Sequence, residues 1–115
     1  MKLGFLGAGN MGTAMMRGIA ASPLMQDGTI AQIMSFDTDS TKLHTLSEIG
    51  VSACDSAQAL ADASDFLVLA VKPQVLGGVL ESLTLRKEQV IISICAGISA
   101  EFIRSRTIPD SRGQD

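Results

Sequence analysis

The chain has 115 residues, a formal net charge of −3 and 46% hydrophobic residues. This size fits one domain, and the apolar share is high enough to build a core, which excludes intrinsic disorder for most of the chain. The negative charge argues against sequence-independent binding to nucleic acids, and no apolar run approaches the roughly 20 residues of a membrane span. The short, glycine-rich N-terminus does not predict a signal peptide. Cys54 and Cys95 lie in apolar segments, which indicates free thiols in a reducing cytoplasm.

Short apolar runs alternate with helical patterns along the chain. The predicted strands cover residues 2–6, 30–36, 51–54, 66–71 and 90–94. The predicted helices cover residues 10–22, about 40–49, 56–63, 73–83 and 99–104. Strands that alternate with helices form a parallel sheet with right-handed crossovers. We therefore predict a Rossmann-type, doubly wound α/β fold in three layers, with strand order 3-2-1-4-5.

A glycine-rich loop, Gly7-Ala8-Gly9-Asn10-Met11-Gly12, follows the first predicted strand and opens the first predicted helix. In this context the spacing G-x-G-x-x-G predicts dinucleotide binding. The first glycine permits a tight turn, the second lets a pyrophosphate approach the backbone, and the third lets the helix pack close to the sheet. The helix N-terminus offers N–H groups and a partial positive charge to the phosphates. The alternative is a glycine-rich turn without a ligand.

Asp37 follows the second predicted strand, where a Rossmann domain binds the adenosine ribose. It lies 25 positions beyond Gly12, against about 20 in the usual pattern, and the loop at residues 23–28 accounts for the excess. An acidic side chain at this place accepts a hydrogen bond from a free 2′-hydroxyl and repels a 2′-phosphate. Asp37 thus favours NAD.

The same segment holds groups that favour the opposite choice. Ser35 and Thr38 can donate hydrogen bonds to a phosphate, and Lys42 can supply positive charge. In a third interpretation, Asp37 and Asp39 only cap the next helix. The sequence therefore leaves the choice between NAD and NADP open.

Three residue runs occur in a specific order. They are Gly7-Ala8-Gly9-Asn10-Met11-Gly12-Thr13-Ala14-Met15, Leu69-Ala70-Val71-Lys72-Pro73-Gln74 and Ser93-Ile94-Cys95-Ala96-Gly97-Ile98-Ser99. In this order and at these separations they resemble the N-terminal dinucleotide-binding domain of the pyrroline-5-carboxylate reductase family, over residues 1–104. That family reduces a cyclic imine with NAD(P)H in proline biosynthesis. The resemblance therefore implies an oxidoreductase domain whose cofactor is NADP or NAD.

The resemblance also implies which residues bind the cofactor. From the loop these are Leu6, Gly7, Ala8, Gly9, Asn10, Met11 and Gly12; later in the chain they are a ribose-contacting Ser35, then Ala70, Val71, Lys72, Pro73, Ala96 and Gly97. All lie at the carboxyl ends of predicted strands, where doubly wound sheets bind ligands. Lys72 precedes a proline, so its extended backbone can present peptide groups to the ribose on the nicotinamide side. The alternatives are a solvated surface lysine at Lys72 and an ordinary turn glycine at Gly97.

The chain departs from the family's pattern in two places. The family often has an asparagine near the end of the third strand, where this chain reads Cys54-Asp55-Ser56-Ala57. The family also continues with a Met-Pro-Asn-Thr-Pro segment and a C-terminal helical domain that forms the dimer and closes the substrate site. Here residues 105–115 form a polar tail that we predict to be disordered. We expect this chain to bind a dinucleotide, and the imine only in a full-length homologue.

No side chain of this sequence is assigned a catalytic role. His44 lies in the middle of a predicted helix and is interpreted as a surface residue, and one histidine with two distant cysteines lacks the spacing of a metal site. Two alternatives remain, a stand-alone non-catalytic nucleotide-binding module and the cofactor domain of a β-hydroxyacid-type dehydrogenase. The continuation Lys72-Pro73-Gln74 favours the reductase. An open edge at the predicted fifth strand predicts self-association.

Overall fold

The computed structural model describes residues 1–94 and 108–109. The helices are α1 (Asn10–Ala20), α2 (Pro23–Gln26), α3 (Ser40–Ser47), α4 (Ala57–Ala63) and α5 (Pro73–Glu81). The strands are β1 (Lys2–Leu6), β2 (Gln32–Phe36), β3 (Ser52–Ala53), β4 (Phe66–Leu69), β5 (Thr84–Leu85), β6 (Val90–Ser93) and β7 (Ile108–Pro109). Within these ranges, no helix has the length and apolar character that crossing a bilayer requires.

Five of the strands form one parallel sheet in the order β3-β2-β1-β4-β6. Because β6 is the fifth strand predicted from the sequence, the predicted order and the doubly wound α/β class are confirmed. The central strand β1 pairs with β2 on one side and with β4 on the other. Doubly wound sheets bind ligands at such a reversal of strand order, beside the carboxyl ends of the strands.

Side chains of β1 alternate between two buried clusters, one on each face of the sheet. Phe5 packs into the cluster that includes Met16 of α1 and Leu46 of α3. The next residue, Leu6, packs into the other cluster, which includes Leu60 of α4. Burial on both faces is typical of an internal parallel strand. Helices therefore cover both faces, and the predicted three-layer arrangement is confirmed.

Three short elements were not predicted from the sequence. Residues 23–26, predicted as part of a polar loop, form the single-turn helix α2 with a proline at its start. Strands β5 and β7 are two residues long and pair in parallel with each other. Strand β7 lies in the segment predicted to be disordered; the rest of that segment and the predicted helix at 99–104 lie outside the described residues.

The C-terminal end of α4 is held by side chains from the segment between β5 and β6. Arg86 donates to the carbonyl oxygens of Asp62 (2.6 Å) and Ser64 (3.0 Å). Gln89 donates to the carbonyl oxygens of Ser64 (2.8 Å) and Ala61. The last carbonyls of a helix lack partners within the helix, and these side chains supply donors to them. The Ala61 carbonyl oxygen also accepts from the Ser64 N–H (3.3 Å).

The C-terminal end of α4 lies close to β1 at Gly4. The hydroxyl of Ser64 occupies the place that a Cβ on Gly4 would take, and Leu60 Cδ1 would lie 2.9 Å from that Cβ. The Ser64 hydroxyl is buried and donates to the carbonyl oxygen of Leu60 (2.7 Å). The absence of a side chain at Gly4 therefore allows the helix to lie against the sheet.

Candidate dinucleotide-binding site

The chain turns sharply after β1 at Gly7, whose φ is +101°. A Cβ built on Gly7 would lie 2.8 Å from the carbonyl oxygen of Ala70, directly after β4. The Gly7 N–H donates to the carbonyl oxygen of Phe36 at the end of β2 (2.8 Å). Both the backbone conformation and the lack of space require glycine at this turn.

The other two glycines of the loop have different surroundings. A Cβ on Gly12 would lie 3.2 Å from both the Ala70 Cβ and the Gly7 carbonyl oxygen, so Gly12 allows α1 to pack close to the end of β4. A Cβ on Gly9 would have no neighbour within 4 Å. The space above Gly9 is therefore open to a group that approaches the backbone, as a diphosphate must.

Gly9 is also the residue that precedes α1. Its backbone is extended (φ −73°, ψ −173°), no side chain caps the helix, and the first turn holds no acidic residue. The intrahelical hydrogen bonds begin with the Thr13 N–H, which donates to the Gly9 carbonyl oxygen (2.8 Å). The N–H groups of the first turn and the helix dipole thus offer positive potential where the space is open. These residues fit the diphosphate of a dinucleotide.

Asp37 connects the end of β2 to the glycine loop. One carboxylate oxygen accepts from the Ala8 N–H (2.8 Å), and the other accepts from the Asp39 N–H (2.8 Å). The side chain of Asp39 accepts from the Thr41 N–H (3.0 Å) and caps α3. The two aspartates therefore differ, because only Asp39 caps the helix, whereas Asp37 bonds to the loop.

Ser35 is fully buried within β2. Its hydroxyl donates to the carbonyl oxygen of Phe5 on the neighbouring strand (3.0 Å). The resemblance implied a ribose contact at Ser35, but the structure does not bring its hydroxyl to the surface of the crevice. Ser35 lies inside the sheet, one residue before β2 ends at Phe36.

The segment after β4 forms the other side of the crevice. The Ala70 N–H donates to the Leu6 carbonyl oxygen (2.8 Å), which fixes this segment beside the glycine loop. Lys72 is exposed and extended (ψ 145°), as expected before a proline, and α5 begins at Pro73. The predicted site residues Ala96 and Gly97 lie outside the described residues.

A cavity of about 410 Å³ lies between α1 and α3, next to the loop. Its lining includes Ala8, Asn10 and Thr13 near the loop and the cations Arg17 and Lys42 further along the helices. Sequence reasoning considered Lys42 but not Arg17. The spacing of four residues between Thr13 and Arg17 places both on one face of α1, which is the signal that could have found it.

Cys54 follows β3, and its N–H donates to the carbonyl oxygen of Ser35 (2.9 Å). Burial raises the pKa of its thiol, and the neighbouring carboxylate of Asp55 raises it further. The protonated thiol is therefore favoured at neutral pH, and this form is neither a good nucleophile nor a metal ligand. Across the described ranges, no group of three or more His, Cys, Asp and Glu residues could hold a metal ion.

A model of a protein family, described as NADP oxidoreductase coenzyme F420-dependent, matches residues 2–97. The chain belongs to this family. Among the relatives of this chain, the pyrroline-5-carboxylate reductase of Escherichia coli (strain K12) is 36% identical over 103 residues. That match covers 87% of this chain and 37% of the relative. The predicted resemblance to pyrroline-5-carboxylate reductases is therefore confirmed.

Solved structures agree with the family assignment. A 1-pyrroline-5-carboxylate reductase from Streptococcus pyogenes superposes with a TM-score of 0.77 at 28% identity, over 100% of this chain and 39% of that one. The pyrroline carboxylate reductase of Plasmodium falciparum, solved with NADP bound, gives 0.70 at 27% identity, over 93% of this chain and 38% of that one. The chain thus spans little more than a third of the length of these relatives. The chain is a Rossmann-type nucleotide-binding domain of this family.

Proposed function

We propose that this chain is the NAD(P)H-binding domain of a pyrroline-5-carboxylate reductase. The observation that carries the proposal is the open backbone at Gly9, which lies at the uncapped N-terminus of α1 beside the end of β4. The similarity to the pyrroline-5-carboxylate reductases of Escherichia coli and Streptococcus pyogenes favours this reductase over a β-hydroxyacid-type dehydrogenase. The same relatives argue against a stand-alone module without a catalytic partner domain.

Each side of the crevice takes a separate part of the cofactor in this proposal. The N–H groups at the start of α1 bind the diphosphate, and Asp37 binds the ribose of the adenosine half. The segment Ala70-Val71-Lys72 lies beside the ribose of the nicotinamide half, with Ala96 and Gly97 as further candidates. The bound cofactor supplies the hydride, and the protein supplies its position.

The groups that orient the imine are proposed to lie in the part of the relatives that this chain does not match. The Escherichia coli match leaves 63% of that relative uncovered, because it covers 37%. On this basis the 115-residue chain binds the dinucleotide but does not reduce the imine.

Titration of the chain with NADH and with NADPH tests this function, with nicotinamide fluorescence as the readout. Saturable binding of at least one nucleotide is expected, and binding of neither would overturn the proposal. Pyrroline-5-carboxylate added to the complex should leave the nicotinamide absorbance unchanged. Turnover would contradict only the placement of the imine-orienting groups.

We also propose self-association through β6, which is the last strand of the five-stranded sheet in the described part of the chain. Val90 and Ile92 of this strand are 43% and 40% exposed. Exposed apolar residues on a strand at the border of a sheet favour association with a second copy. Sedimentation should show a mass that rises with concentration, and Ile92→Lys should abolish the rise, whereas Val75→Lys on α5 should not. A monomer at all concentrations would contradict this.

A cytoplasmic location completes the proposal. Cys54 is a free, half-buried thiol, and such thiols persist in reducing compartments. Fractionation of cells that express the chain should recover it with cytoplasmic enzymes. Recovery from an oxidising compartment would contradict this location.

A further inference from the structure

The carboxylate of Asp37 is fixed at the place where the adenosine ribose of a dinucleotide would lie. Its two hydrogen bonds, from the Ala8 N–H and the Asp39 N–H, are both 2.8 Å long. The side chain is half-buried at the carboxyl end of β2, beside the first turn of the glycine loop. Because the backbone holds both oxygens, the carboxylate cannot easily turn away from a ligand bound on that loop.

The carboxylate has acceptor capacity left after these two bonds. Its two oxygens offer about four lone-pair sites, of which the backbone uses two. A ribose with free 2′- and 3′-hydroxyls brings two donors that match the remaining sites. A 2′-phosphate brings no donor when it is fully ionised and adds negative charge next to a negative charge.

Among residues 1–94 and 108–109, no ion pair neutralises the negative charge of Asp37. In the described residues, the salt bridge found is between Arg86 and Glu88, and no cation lies within 4.0 Å of the Asp37 carboxylate. Arg17 and Lys42 line the neighbouring cavity, but both are exposed and neither pairs with Asp37. These two cations would favour a 2′-phosphate and therefore NADPH, whereas the carboxylate would favour NADH.

We propose that Asp37 makes this chain select NADH over NADPH. This inference rests on the proposed function and deepens it by naming the cofactor. The carboxylate outweighs the cations because it is fixed and half-buried, whereas Arg17 and Lys42 are exposed and therefore screened by water and salt.

Binding titrations of the whole chain with NADH and NADPH test the selection. The unmodified chain should bind NADH roughly tenfold or more tightly than NADPH. Asp37→Ser should remove this preference by weakening NADH and strengthening NADPH. Asp39→Asn is the matched control, because it removes the same charge two residues away and keeps a helix cap. Its NADH-to-NADPH affinity ratio should stay within about threefold of the original.

A second measurement uses the unmodified chain, so it does not depend on the folding of a variant. If the Asp37 carboxylate determines the cofactor preference, an increase from about 0.02 M to about 0.5 M salt should screen its repulsion of the 2′-phosphate and reduce the preference for NADH. If Arg17 and Lys42 determine it, the same increase should weaken the binding of NADPH further.

Each outcome has a defined meaning. Equal or tighter binding of NADPH, an unchanged ratio in Asp37→Ser, or the opposite salt dependence would overturn the selection by Asp37. All three outcomes would leave the proposed function intact, since a nucleotide still binds. Binding of neither nucleotide would overturn the proposed function as well.

Discussion

The carbonyl oxygen of Ala70 lies 2.8 Å from the point where a Cβ on Gly7 would stand. The first loop of the chain is thus shaped by the end of β4, which comes much later in the sequence. The same alanine limits the space at Gly12, where a Cβ would lie 3.2 Å from the Ala70 Cβ. One small residue after β4 therefore determines the path of the glycine loop and the approach of α1.

Gly7→Ala should destabilise the fold by about 2–4 kcal/mol, because the positive φ and the contact with Ala70 both oppose a side chain. Urea denaturation gives the free energy of unfolding. Gly28→Ala is the control, since Gly28 also has a positive φ (+84°) but has open space around its Cβ position. It should cost only about 1 kcal/mol. Equal losses in the two variants would show that the contact with Ala70 is unimportant.

Gly9→Ala should leave stability nearly unchanged and weaken nucleotide binding. The Gly9 backbone is compatible with alanine and the added Cβ meets no protein atom, but it enters the space through which a diphosphate reaches the N–H groups of α1. We expect a loss of about tenfold in affinity, or about 1.4 kcal/mol, in a fluorescence titration. Gly18→Ala, further along α1 and equally unobstructed, should keep full affinity. Normal binding by Gly9→Ala would place the diphosphate elsewhere.

The sheet could be predicted from the sequence because most of its strands lie in mainly apolar runs separated by helical patterns. Phe66–Leu69 is apolar throughout and becomes an internal strand buried between two layers. Strand β5 could not be predicted from an apolar run, because residues far away in the sequence hold it in place. The side-chain amide of Gln58 accepts from the Thr84 N–H and donates to the Thr84 carbonyl oxygen (2.9 Å each), and β7 pairs with β5.

The site was predictable to a similar degree. Sequence spacing identified the glycine loop and Asp37, because both follow strands of a recognisable unit. It did not reveal that Asp37 bonds to Ala8, since that contact depends on how two strand ends meet in space. It also did not reveal that Ser35 is buried, because a short polar residue can lie inside a strand when a neighbouring carbonyl oxygen accepts its hydrogen bond. The ribose contact at Ser35 stays a prediction.

Gln89→Ala should lower the free energy of unfolding by about 1–3 kcal/mol. The substitution removes two hydrogen bonds, to the carbonyl oxygens of Ala61 and Ser64 at the end of α4. Each carbonyl oxygen keeps one other donor, the Ser64 N–H for Ala61 and Arg86 for Ser64. Thermal or urea denaturation measures the effect. Gln74→Ala, an exposed change on α5, should alter stability by less than about 0.5 kcal/mol. A loss no larger in Gln89→Ala than in Gln74→Ala would contradict the role of Gln89.

The Cys54 thiol should react slowly with an alkylating reagent at about pH 8, because only the thiolate reacts and burial with Asp55 raises the pKa of this thiol. Since the folded state favours the protonated thiol, the rate should rise only above the usual pKa of 9.0, and stability should fall over the same range as the pH increases. Peptide mapping by mass spectrometry follows Cys54 separately from Cys95. Asp55→Asn should accelerate the reaction, and a rate equal to that of a free cysteine would contradict the shielding.

The close approach of Ser64 to Gly4 couples two positions that are 60 residues apart in the chain. Gly4 cannot gain a side chain alone in a library of redesigned sequences, because a methyl group there requires the hydroxymethyl group of Ser64 to leave. Productive variants should therefore change both together, for example Gly4→Ala with Ser64→Gly. Among related domains, substitutions that occur together at these two positions would indicate that α4 and β1 lie in contact there.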